Sequence, residues 1–241
     1  MTATPNDDVA WADWAVQRWA GFPVDRVPRP LVLLGETAHP RNGFRSQRAK
    51  RAYSHGWIET RVPLPDELLD MLGRAGDRPD GEPPIVITAS RRCPVEQPTD
   101  RGRRSLPGWE LQTPDTRGPI VVLDPEVAAG AWAPAEPLPP RPDGRDPPGD
   151  PFSPRADLAG DGRTLTVSYM AGSGERHRIA EVVESRQAVA VVPRREDTGA
   201  AGPRTLVGYR RRLTVALNAP LGNRVLVDLH GNASEVTLRA D

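Results

Sequence analysis

The chain has 241 residues with 32 basic and 32 acidic side chains, a formal net charge of zero, so no global field draws it to nucleic acid or an anionic membrane. Its length allows one large domain or two small ones. Proline (28) and glycine (22) together make up about a fifth of it, below the share that marks disorder throughout, and an ordered body with long loops is expected.

Cys93 is the only cysteine, which excludes an intrachain disulfide and fits a reducing compartment. Met1 to Ala10 carries Asp7 and Asp8 and lacks both a basic n-region and an apolar core, so no signal peptide is read there. No window approaches the roughly 18 apolar residues of a membrane span. The expected location is the cytoplasm, with no membrane association. Lys50 is the only lysine, and that arginine bias fits a GC-rich genome better than a binding chemistry.

In chain order, Asp7 or Asp8 can cap a first helix through Trp11, Trp14, Ala15 and Trp19, stopped at Gly21. The spacing puts three tryptophans on one face, a stripe that docks on the body or meets a partner. Leu31 to Gly35 is an apolar run of strand length, expected to be buried on both sides. After the loop Glu36 to Phe44, Ser46 caps a helix with Ala49, Ala52 and Tyr53 inward, ending near Gly56. Trp57 to Val62 alternates as a strand, Pro65 to Gly73 reads as a short helix with acidic residues in its first turn, and Ile85 to Ala89 as another strand. Trp109 to Thr113 and Ile120 to Asp124 flank a turn and form a hairpin.

Between Ala133 and Pro154 proline is dense enough to exclude helix and sheet, so residues 134–157 are expected to be a stiff linker. It separates an N-terminal α+β region, 1–133, with about three short helices, from a C-terminal module, 158–241. That module alternates through Leu165, Val167 and Tyr169, through Val189 and Val191, through Leu213, Val215 and Leu217, and through Val225, Val227 and Leu229. Turn residues lie between the runs. About six short strands result, each with one wet and one dry face, in a small β-sandwich or partial barrel. The fold class expected is α+β, predominantly antiparallel β.

Asp161-Gly162-Arg163-Thr164-Leu165-Thr166-Val167, with Thr214 to Arg224 some fifty residues on, and the earlier Thr99 to Trp109, resemble a small β-domain that recurs in uncharacterised proteins of high-GC Gram-positive bacteria. The resemblance implies a β-rich domain and carries no activity, substrate or catalytic residue. Relatives of this kind look exported and carry a cysteine pair in the C-terminal module, where this chain has none.

The candidate sites are few. Residues 41–51 carry Arg41, Arg45, Arg48, Lys50 and Arg51 and no acid, the one local support for anion or nucleic-acid binding, although a solvated helix face explains it as well. Asp100-Arg101-Gly102-Arg103-Arg104 reads as a loop whose guanidinium groups can grip a carboxylate or phosphate, with Arg45, Arg101 and Arg103 as the anion-binding set. His55 and Glu59 form an acid/base pair in principle, and with Asp100 they make a polar cluster. Arg210-Arg211-Arg212 is read as a guard placed before a strand. His39, His55, His177 and His230 are scattered and Cys93 has no CxxC partner, so no metal is expected. Neither GxxxxGK[ST] nor GxGxxG nor a Gly-x-Ser-x-Gly elbow occurs, so no cofactor is expected.

The reading that follows is a non-enzymatic β-rich binding or accessory protein, with an unidentified protein partner and nucleic acid disfavoured. Two alternatives stand beside it: a hydrolase-like enzyme whose polar residues converge only in three dimensions, and a weak nucleic-acid or anion binder acting through 41–51.

Overall fold

A computed structural model describes residues 5–73, 83–134, 152–172, 176–196 and 208–239. In chain order these form α1 (Pro5–Gln17), β1 (Ala38–Pro40), α2 (Gln47–Ser54), β2 (Ile58–Thr60), α3 (Asp66–Met71), β3 (Ile85–Ile87), β4 (Ala89–Thr99), β5 (Gly102–Gln112), β6 (Ile120–Leu123) and α4 (Pro125–Gly130). There follow β7 (Phe152–Leu158), β8 (Thr164–Gly172), β9 (Arg176–Glu184), β10 (Ala188–Glu196), β11 (Gly208–Ala216), β12 (Val225–Val227) and β13 (Glu235–Leu238). The fold is α+β with mostly antiparallel pairing, as the sequence pattern predicts. Among the described residues no helix is long and apolar enough to cross a membrane.

The chain makes two compact units, each drawn from separated stretches. The first comprises Met1–Leu34, Thr99–Gly102 and Trp132–Asp241; the second comprises Gly35–Pro98 and Arg103–Ala131.

The first unit has three layers. Sheet β11-β8-β7-β13 faces sheet β12-β10-β9 across a core of Leu165, Val167, Leu213, Val215, Val189, Val191 and Leu226. The other side of β12-β10-β9 packs through Ala188, Ala190, Val192, Val225 and Val227 against Trp11 and Trp14 of α1 and Trp19 of the turn after it. A single wet face therefore holds only for the four-stranded sheet, where Thr166 and Thr214 pair outside at 3.2 Å. In β12 and the first half of β10 both faces are dry, which is why Ala188 to Val192 are all buried. Val225 and Val227 face the helix, and Leu226 between them faces the other sheet. The period of two holds there, but the side that alternation predicts to face solvent is dry as well.

Burying each tryptophan of α1 removes about 150–250 Å² from water, roughly 5 kcal/mol before chain entropy is counted. Two further bonds fix the end of that helix. The Arg18 guanidinium donates to the His230 carbonyl, and the Trp19 indole donates to the Gly231 carbonyl at 2.9 Å. Gly231 has φ 73° and no space for a Cβ beside Arg18.

Four expectations are corrected in detail. Leu31 to Gly35 makes one bridge, Leu33 to Thr99, and no strand. Two of its carbonyls go to tertiary partners, Leu31 to the Trp132 amide at 2.7 Å and Val32 to the Asp100 amide at 3.1 Å. The proline-rich stretch does not exclude sheet to its end, because β7 starts at Phe152 within the expected linker, and its register with β8 shifts between Phe152 and Ala156. Residues 135–151 of that linker lie outside the described residues. The expected loop 100–104 is only two residues long, with Arg103 and Arg104 already in β5. Arg210, Arg211 and Arg212 lie inside β11, at the sheet edge and exposed.

The second unit holds sheet β1-β6-β5-β4 and the parallel pair β2-β3. Its core is Ala38, Ala52, Trp57, Leu68, Leu72, Ile85, Ile87, Leu111, Ile120 and Val122. The expected hairpin is there, with Trp109 opposite Val122 and Leu111 opposite Ile120. A fourth helix, α4, was not foreseen, although its start is orthodox: Pro125 occupies the first turn and the Asp124 carboxylate accepts from the Glu126 amide at 3.1 Å.

Candidate functional site

A cleft of about 850 Å³ opens beside α2 in the second unit. Ser46 starts the helix, its hydroxyl accepting from the Ala49 amide at 3.1 Å. Ala49 and Ala52 then enter the core, which leaves Lys50, Tyr53 and Ser54 of the next faces on the cleft. Phe44, in contact with Tyr53 at 5.3 Å between ring centroids, lines it as well, with Glu36 and Thr37 from the segment before β1. The far wall is backbone. Gly56 and Gly73 both have positive φ, 68° and 82°, and a Cβ on Gly56 would stand 2.5 Å from the Gly73 carbonyl oxygen. Only glycine lets these two turns close on each other.

The electrostatics of the cleft centre on Tyr53. Burial, aided by the negative charge of Glu36, pushes its phenol up to about 12, so at neutral pH the hydroxyl stays protonated and can donate. His55 caps α2 and stacks on Trp57 at 4.9 Å and 17°. Sequence reasoning placed Tyr53 among the inward residues of α2 and left Glu36 in a loop. The missing signal was the Gly56–Gly73 contact, which no local pattern encodes.

The basic run 41–51 is largely engaged in structure. Arg41 pairs with Glu110 at 3.0 Å, Arg45 donates to the Thr116 carbonyl at 3.0 Å, and Arg48 donates to Asp115 and to the Pro83 carbonyl. Glu110 also takes Arg91 at 2.6 Å. The Arg91 bond, seconded by Arg41, holds the Glu110 carboxyl below its ordinary range against the opposing effect of burial.

Asp100 and Arg101 belong to the first unit, whereas Arg45, His55, Glu59 and Arg103 belong to the second. Asp100 is 1% exposed and takes Arg29 bidentately, at 3.0 and 2.5 Å. The same guanidinium donates to the Asn223 carbonyl and lies over the Phe22 ring. Arg101 donates to the carbonyls of Gly222 and Arg224 at 2.7 and 2.6 Å. Arg224 in turn reaches Glu184 at 2.6 Å. Burial raises the Glu184 carboxyl, and bonds from Arg224 and the Asn218 and Ala219 amides outweigh that, so it sits below its usual range. These residues hold the 218–224 turn. Glu59 is exposed on β2, Arg103 is exposed on β5, and His55 alone of the six lines the α2 cleft. Among the described residues no group of three or more His, Cys, Asp or Glu is placed to hold a metal.

Comparison of the chain with protein-family models, with curated proteins and with solved structures finds no match.

Proposed function

We propose that the protein is a non-enzymatic binding module working in a reducing compartment, and that the α2 cleft receives a small ligand carrying both a carboxylate and an ammonium group. The observation that carries this reading is the protonated Tyr53 phenol in one concavity with Glu36 and Lys50. A ligand carboxylate meets the Lys50 ammonium and the tyrosine hydroxyl, and the ligand ammonium meets Glu36, while Phe44 and Met71 supply apolar surface. A phenol raised to about 12 has moved away from the range in which it would accept a proton at neutral pH. That favours recognition over proton transfer.

The test is a ¹H–¹⁵N titration of the whole chain with leucine, with leucinamide and with 4-methylpentanoate. Leucine should shift the amides of Tyr53, His55 and Gly56, and should bind about tenfold tighter than either single-charge analogue. Tyr53→Phe should remove most of that preference. Equal binding of all three, or shifts that avoid the cleft, would sink the reading.

A further inference from the structure

We infer that a second cleft of the same unit, between α3 and α4, is a binding site for an organic cation, specifically the guanidinium of a peptide arginine. The cleft has a volume of about 610 Å³ and is lined by Glu67, Asp70, Asp124 and Glu126, by one guanidinium, Arg92, and by the indole of Trp109. Arg92 bonds Asp124 at 2.8 Å, so the single cation of the lining is matched within the wall itself. Glu67 and Glu126 add two exposed carboxylates beyond the Arg92–Asp124 pair, which leaves the concavity negative.

The wall chemistry selects among cations. Trp109 is half-buried, and its Nε1 is shielded from solvent with no acceptor among the described residues. The indole therefore offers the cleft carbon surface and ring rather than a wetted N–H. The rest of the lining is largely proline, alanine and methionine carbon. A hydrated divalent ion gains nothing from such a wall, because it keeps its waters and needs converging oxygens. A guanidinium is weakly hydrated, stacks on an aromatic ring, and takes carboxylates at its edge. Glu67 and Glu126 stand exposed, one in the first turn of each helix, so they can meet such an edge without burying a charge of their own. The site is independent of the α2 cleft in its ligand chemistry, so either can fail alone.

The test is a titration of the ¹⁵N-labelled full chain with Nα-acetyl-arginine methylamide, with its citrulline counterpart as the neutral isostere, and with its lysine counterpart. The indole cross-peak of Trp109 and the amides of α3 and α4 report the site. The arginine probe should bind about tenfold tighter than citrulline and more tightly than lysine. The exposed double substitution Glu67→Gln with Glu126→Gln should weaken it about fivefold, and added salt should do the same. Equal affinity for citrulline would mean an apolar pocket without charge selection and would overturn the inference. So would an unchanged affinity in the double variant, or saturation of the same residues by magnesium or calcium alone. Trp109→Phe gives a second check: a fall in the preference for arginine over lysine supports the site, and an unchanged preference counts against it.

Discussion

The two units solve the burial problem in different ways. In the first, a two-faced sheet lies between a tryptophan helix and a second sheet, and its polar contacts are clamps: Arg29 on Asp100, Arg101 on two carbonyls, Arg224 on Glu184. In the second, short helices and a sheet with two eleven-residue strands surround one modest core, arginine–carboxylate pairs tie its elements, and both clefts described above open between elements. The α2 cleft opens where the Gly56 and Gly73 turns meet, and the second cleft where α3 and α4 meet. Both binding surfaces proposed above lie in the second unit.

The largest perturbation of this contrast is Trp11→Ala. Trp11 is 2% exposed, and its loss should cost about 4 kcal/mol, read as a fall in the urea midpoint of whichever transition carries the near-ultraviolet tryptophan signal. If the units are energetically separate, amide exchange in β5 and β6 should hardly change; equal loss of protection there would show that they unfold together.

Next comes Gly56→Ala in the second unit. The left-handed backbone and the collision with the Gly73 carbonyl should cost about 2 kcal/mol. The α2 cleft should deform in the same variant, so leucine titration and denaturation should move together.

The smallest effect is expected at Glu184 in the first unit. Its carboxyl is held below the ordinary range when folded, so its contribution is fully present above the unfolded value of about 4 and is lost as pH falls through the lower folded value. Glu184→Gln should cost about 1.5 kcal/mol at pH 7 and flatten the acid limb of a stability–pH profile. An unchanged limb would remove Glu184 from the acid response.

What the sequence made legible was local. Alternation at Leu165 to Tyr169 and at Leu213 to Leu217, the Ser46 cap, and the turn between β5 and β6 each follow from neighbours in the chain. What stayed hidden depended on distant partners. Nothing near Trp11 says that its face meets Ala190 and Val227, so the dry outer side of β12-β10-β9 was read as wet. Asp100 looked like a loop acid beside arginines in sequence, but the arginine that matters is Arg29, 71 positions away. For the same reason Glu36 and Tyr53 carried no signal as a pair: their cleft is closed by two glycines seventeen positions apart, Gly56 and Gly73.

The grip of Arg18 and Trp19 on the turn at His230 and Gly231 has a consequence for how the chain is made. α1 leaves the ribosome before the strand it must cover, which starts at Ala188. At ordinary ribosomal speeds that is a wait of roughly ten to thirty seconds, during which an indole-rich helix has no native place to go.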